Sequence, residues 1–311
     1  MFWCVLSRNI TNVCAMYITI AHRCLHCHVI QVYLDIGMDP GSIIWASGRL
    51  APVQLLTWGH PSTGGMAGGG DFFVSSALFH AYPSSVSPSP LPYDAQASFS
   101  EQLVQLSSLG LAFPDRRLLP SHLYTRRAED EDALAGLLRM LRSDRVLLLL
   151  PQYTPKLHPT MDEAVLSLLA HHEDFFLVLL DNEKKGAWRA TLLRRWRSVL
   201  QSARFAMSPA QTKKFLEEKL LWLPSLSPAE YLSVLALGHV MLDPFPFGGG
   251  VTVLESLEVC TPVVTLPSQQ NVPQLATGIL ARLFGVKNVL REEHHVLHRM
   301  IASSAEEYVD R

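Results

Sequence analysis

The strongest chemical signal in the chain is one run, Met241-Leu242-Asp243-Pro244-Phe245-Pro246-Phe247-Gly248-Gly249-Gly250-Val251-Thr252-Val253-Leu254-Glu255. It reads as the end of a strand, then glycines, then a helix beginning near Thr252. Glycines let a backbone come close to a bulky anion. The unpaired N–H groups of a helix start, with the positive end of its dipole, then face that anion. A diphosphate is the group this chemistry suits, and Glu255, one turn into the helix, is placed to reach ribose hydroxyls. A second reading stays open on local pattern alone. Thr252 with Glu255 is also a capping box, and three glycines also make an ordinary loop.

Three other segments carry groups with chemistry. In Pro151-Gln152-Tyr153-Thr154-Pro155-Lys156-Leu157-His158-Pro159, Lys156 follows a buried strand and can neutralise phosphates, although an isolated lysine is also ordinary solvated surface. In Leu223-Pro224-Ser225-Leu226-Ser227-Pro228-Ala229-Glu230-Tyr231, Ser227 reads as a helix cap, and Tyr231 faces either a base or the core. In Gly59-His60-Pro61-Ser62-Thr63-Gly64, His60 is a candidate general base or hydrogen-bond donor. The pairs His171-His172 and His294-His295 read as surface positions on helices, and Trp188, Trp196 and the arginines between them as the face of an amphipathic helix. The cluster Cys24-Leu25-His26-Cys27-His28 lacks the second ligand pair that a zinc site needs, so neither metal nor cofactor is expected.

The elements that must position these groups form two α/β series. The first has expected strands at Val29–Ile36, Val53–Trp58 and Asp71–Ser75, a helix within Ser42–Leu50, and a Pro/Ser-rich loop at Pro83–Pro92. A helical pattern at Glu129–Arg142 leads into the second series. There, strands at Val146–Leu150, Phe175–Leu180, Lys219–Leu223, Val240–Leu242 and Val263–Leu266 alternate with helices at Asp162–His171, Trp188–Ala203, Ala229–Leu237, Thr252–Val259 and Pro273–Phe284. Short connections between alternating strands and helices predict a parallel sheet covered on both faces, with sites at its carboxyl edge. The formal net charge of −2 argues against nucleic acid or a membrane surface as partner. Four of the five cysteines fall in the first thirty residues, so the body reads as reduced and intracellular, cytoplasmic or nuclear.

Taken together, the segments resemble the catalytic region of the O-GlcNAc transferase/SPINDLY family of UDP-sugar glycosyltransferases. The resemblance runs from about Tyr33 to Val286. It is carried in family order by DIGMDP (35–40), RLAPVQLLTWGHPSTGG (49–65), PQYTPKLHP (151–159) and LDPFPFGGGVTVLESLEVCTPVVTLP (242–267). It implies a GT-B-like α/β fold of two Rossmann-like halves with parallel sheets. The expected layout is an atypical leader (1–30), a partial N-terminal half (31–128) and a nucleotide-sugar-binding C-terminal half (129–311). By resemblance, Gln152 and Lys156 contact donor phosphates, while Gly249, Gly250, Val251 and Thr252 hold the diphosphate. Glu255 then takes the ribose, and Tyr231 lies near the uracil. The implied reaction is inverting, metal-independent transfer of N-acetylglucosamine or a related hexose from a UDP-sugar to Ser/Thr hydroxyls of a protein or peptide, with His60 and Lys156 as the catalytic candidates.

Two departures stand out. Val251 stands where a hydroxyl or amide side chain is common, and Ser268–Gln274 lacks the glycine and arginine usual after the TLP turn. With the family's early N-terminal segment replaced by the atypical leader and the chain stopping at Arg311 soon after the sheet ends, a truncated member is expected, the alternative being a catalytically impaired nucleotide-sugar-binding fragment.

Overall fold

The computed structural model describes residues 18–19, 30–57, 59, 62–66, 68–80, 94–110, 145–181, 186–268, 274–285 and 295–311. The chain divides into two compact units: Met1–Leu111 with Gln270–Gln274, and Ala112–Gln269 with Leu275–Arg311. The expected loop at 83–92, the helical pattern at 129–142, most of the leader and His60 lie outside the described residues.

In the first unit, strands β2 (Ile30–Tyr33), β3 (Val53–Thr57), β4 (Phe72–Ser76) and β5 (Gln102–Leu106) pair in parallel in that order. A two-residue strand β1 (Ile18–Thr19) pairs antiparallel to β2. Helix α1 (Pro40–Ser47) starts where Asp39 accepts a hydrogen bond from the Ser42 N–H at 3.0 Å, with Pro40 in the first turn, where its missing N–H costs nothing. The core is Tyr33, Ile36, Ala46, Leu56, Phe73 and Phe99. The sequence reading did not anticipate β5. Its QLVQL pattern leaves most side chains exposed, so it carries little of the apolar signal that marks a strand.

The second unit is an all-parallel sheet in the order β10 (Val263–Val264), β9 (Val240–Leu242), β6 (Val146–Leu150), β7 (Phe175–Asp181), β8 (Leu220–Pro224). The VLLLL strand is central because it is apolar on both faces: Leu147, Leu148, Leu149 and Leu150 are all buried. Helices α2 (Asp162–His171), α3 (Ala187–Leu200), α4 (Pro209–Lys219), α5 (Pro228–Leu237), α6 (Val251–Glu258), α7 (Leu275–Leu283), α8 (His295–Met300) and α9 (Ala305–Asp310) complete it. In α3, Leu192, Trp196 and Leu200 repeat every fourth residue and form the buried stripe, as helical periodicity requires. Ser227 caps α5 in a reciprocal box with Glu230, as the sequence predicts. Helix α4 escaped the sequence reading, although Ser208-Pro209-Ala210-Gln211 is also a capping box with proline in the first turn. No helix among the described residues is long and apolar enough to cross a membrane.

Candidate functional site

Strands β6 and β9 are parallel neighbours, with Leu148 opposite Val240 and Leu149 opposite Met241. Their outgoing loops therefore leave the same edge of the second sheet side by side. The loop after β6 makes two tight turns, Thr154–Lys156 and Pro159–Met161, before α2. The loop after β9 runs from Asp243 through the glycines into α6. Gln152, almost wholly buried, joins the two loops by donating its side-chain amide to the Thr252 hydroxyl at 2.5 Å. The glycines are required by space. A Cβ on Gly249 would lie 2.3 Å from Thr252 Oγ1 and 2.5 Å from Gln152 Nε2, and one on Gly248 would lie 2.6 Å from Asp243 Oδ2.

The start of α6 rules out the capping-box reading of this run. The N-cap is Gly250, whose carbonyl accepts the first helical bond from Leu254 at 3.2 Å. Thr252 lies inside the helix with its hydroxyl engaged by Gln152, so Thr252 and Glu255 form no capping box. The N–H groups of the first turn have no partner within the helix. No acidic residue stands in that turn to neutralise the positive end of the dipole. The arrangement is suited to an anion.

Asp243 sits behind the loop, 1% exposed. One carboxylate oxygen accepts from the Gly249 N–H at 2.6 Å and the other from the Thr265 hydroxyl at 2.7 Å. Burial pushes its pKa up to about 7, against the pull of these two bonds and of the Lys156 charge. Lys156 is half-buried, and its ammonium lies 5.2 Å from the centre of the Phe247 ring. Desolvation holds its pKa below the usual lysine value, while Asp243 acts in the opposite direction.

The turn that carries Lys156 is held from behind by α3. Arg195 donates from one terminal nitrogen to the Leu157 carbonyl at 2.6 Å and, through Nε and that same terminal nitrogen, to the Asp162 carboxylate at 2.5 and 2.8 Å. The Trp196 ring N–H donates to the same carboxylate at 2.8 Å. The loop after β9 has its own brace in α9: the Tyr308 hydroxyl donates to the Asp243 carbonyl at 3.0 Å, and its ring packs edge-on against Phe245.

Among the residues singled out in the sequence, Gln152, Lys156, Gly249, Gly250, Val251 and Thr252 thus gather at one sheet edge. The Gly249 N–H is taken up by the buried Asp243 carboxylate. Glu255 is buried on α6, and Tyr231 lies on α5, which packs against α6, with its hydroxyl in the interior.

No protein-family model matches the chain. No curated protein sequence matches it either. Solved structures do. A mutant of the Thermobaculum terrenum O-GlcNAc transferase aligns over 90% of this chain and 44% of its own, at 20% identity and a TM-score of 0.60. The N-terminal domain of Candida albicans trehalose-6-phosphate phosphatase aligns over 90% and 61%, at 12% identity and a TM-score of 0.45. A UDP-forming trehalose-phosphate synthase from Burkholderia xenovorans aligns over 89% and 62%, at 12% identity and a TM-score of 0.44. The fold is GT-B-like. At these identities the likeness is one of fold, and the chain spans less than half the length of the O-GlcNAc transferase it resembles.

The sequence reading passed over Asp243, Phe247, Asp162 and Arg195. A signal was present for the first: an acid directly after a buried strand, followed by proline, is an unusual place for a charge. No comparable pattern marks Arg195, which looks like one more arginine on a basic helix.

In the first unit, the WGHP segment explains its glycine. The Gly59 N–H donates to the Leu34 carbonyl at 2.8 Å, and a Cβ there would lie 2.7 Å from the Asp35 backbone. The following loop is pinned by Glu101, which accepts from the Thr63 hydroxyl at 2.8 Å and the Gly64 N–H at 3.0 Å. His80, just past β4, is buried and its Nε2 lies 2.9 Å from the Ser75 hydroxyl. Desolvation lowers its pKa to about 4.

Proposed function

We propose that this chain binds a UDP-sugar at the carboxyl edge of its second sheet. In the full reading it transfers N-acetylglucosamine, or a related hexose, to a Ser/Thr hydroxyl of a protein. The observation that carries the donor part is the Gln152–Thr252 hydrogen bond, which sets the Lys156 turn beside the unneutralised start of α6. In the transfer, the acceptor oxygen bonds to the anomeric carbon from the face opposite the leaving group as the bond to the diphosphate breaks. The hydroxyl proton passes to a base, for which His60 is the candidate, and UDP leaves. Lys156 and the first-turn N–H groups take up the negative charge that develops on the leaving diphosphate. These groups supply the positive charge that a metal ion provides in other transferases. Glu255 is assigned to the ribose and Tyr231 to the neighbourhood of the base. The acceptor class and the sugar rest on the sequence motifs and on the name of the Thermobaculum terrenum relative.

The test is a calorimetric screen of UDP, GDP and their sugars, followed by transfer from UDP-GlcNAc to peptides read by mass spectrometry. Removing the ammonium with Lys156→Ala is expected to weaken donor binding roughly tenfold or more. Unchanged donor affinity in that variant sinks the site. A second reading, donor binding without transfer, is favoured by Val251, which opens α6 with a side chain unable to hydrogen-bond a phosphate. UDP binding with no turnover selects it.

A further inference from the structure

A loop rich in glycine has no fixed shape of its own, and here the shape is imposed from behind by one buried carboxylate. We propose that Asp243 is the positioning residue of this loop: it takes up the Gly249 N–H and faces Lys156, leaving the first-turn amides of α6 for the ligand. The inference rests on the reading of this edge as a nucleotide-sugar site.

Two surfaces fix Asp243. On the loop side, Gly249 donates to Oδ1 at 2.6 Å, and Gly248 packs so closely on Oδ2 that a Cβ would approach to 2.6 Å. On the other side, the Thr265 hydroxyl donates to Oδ2 at 2.7 Å and the Tyr308 hydroxyl holds the Asp243 carbonyl at 3.0 Å. Thr265 is fixed in turn, since its N–H and carbonyl pair with Met300 and Ala302 at 2.8 and 2.9 Å. Among the described residues, the titratable groups that interact with Asp243 are Lys156, on the turn after β6, and Tyr308, on α9.

The geometry separates shape from charge. A protonated carboxyl still accepts from Gly249 on one oxygen and can donate to Thr265 from the other, so the loop keeps its form in either state. Charge changes: the ionised carboxylate competes with a bound diphosphate for Lys156 and repels it. A group buried this deeply changes protonation near neutrality, where its pKa is pushed to about 7.

The experiment is calorimetry of UDP-glucose on the full chain between about pH 5.5 and about pH 8.5, a range in which both phosphates of this donor keep one charge each. Wild type is expected to lose affinity roughly tenfold as pH rises through neutrality. Asp243→Asn keeps the shape without the charge, and is expected to bind within about threefold of wild type at the acid end with a flat profile. Asp243→Ala removes the strap and is expected to bind at least about tenfold more weakly at every pH, with its fold checked by circular dichroism. A profile in Asp243→Asn parallel to wild type overturns the proposal, as does full affinity in a folded Asp243→Ala. If Asp243→Ala does not fold, the Asn profile decides. Wild type that binds no UDP-glucose at any pH overturns the site reading itself, and this inference with it.

Discussion

At the scale of single residues, the site depends on side chains that are absent as much as on those present. Gly249 is the tightest case, because any Cβ there would press on both Thr252 and Gln152, the pair that joins the two loops. Gly249→Ala should therefore keep the sheet and helices while costing about 1–3 kcal/mol of stability. It should also lower UDP-sugar affinity at least about tenfold, because one of the two loops must shift. Circular dichroism with calorimetry checks this, and full affinity in the alanine variant would show that the loops need not touch. Lys156 illustrates a different dependence. Its chemistry lies in its neighbours, since burial and the Asp243 carboxylate together set how firmly it holds its proton.

At the scale of elements, two adjacent parallel strands bring distant loops together, and two helices hold those loops in place. Helix α3 is the support for Lys156. Arg195 spans Asp162 and the Leu157 carbonyl with a planar fork that a lysine cannot reproduce. Arg195→Lys is expected to lower stability by about 1–2 kcal/mol and donor affinity severalfold, by loosening the turn next to Lys156. Urea unfolding and donor titration test the two halves of that statement; a drop in stability with affinity untouched would leave Arg195 a purely structural residue. Asp162→Ala is expected to cost more, roughly 3 kcal/mol, because it leaves the Trp196 N–H unpaired near the core and takes the carboxylate from the Arg195 guanidinium. The alternation of strand and helix was legible along the second series because its strands are short apolar runs and its helices are periodic. The edge strand β5 and helix α4 were not: β5 leaves most of its side chains exposed, and α4 is mostly polar.

At the scale of the whole molecule, each unit buries a titratable group whose pKa burial shifts far from its ordinary value: His80 in the first and Asp243 in the second. His80 has a folded pKa lowered from 6.5 to about 4, so its contribution is present above pH 6.5 and is lost as pH falls through about 4. Asp243 has a folded pKa raised from 3.8 to about 7, so its contribution is present below pH 3.8 and is lost as pH rises through about 7. The slopes have opposite sign over the same window, one in each unit. Hydrogen exchange read on peptides from each unit should show the first weakening towards acid and the second towards neutrality. His80→Phe and Asp243→Asn should each flatten the slope of their own unit, by up to about 3 to 4 kcal/mol across the window. A variant that leaves its unit's slope unchanged would remove that group from the account.

The sequence by itself determined the parallel α/β class of the second sheet and the order of its site segments. Apolar runs, glycines and helix caps act locally, so a linear reading can find them. It left the glycine run undecided between a phosphate loop and a capped helix. The tertiary structure removed the capping box by placing Gln152 against Thr252, residues a hundred positions apart in the chain. It also gave Asp243, Arg195 and Tyr308 their roles, because a buried charge takes its meaning from the groups that fold around it.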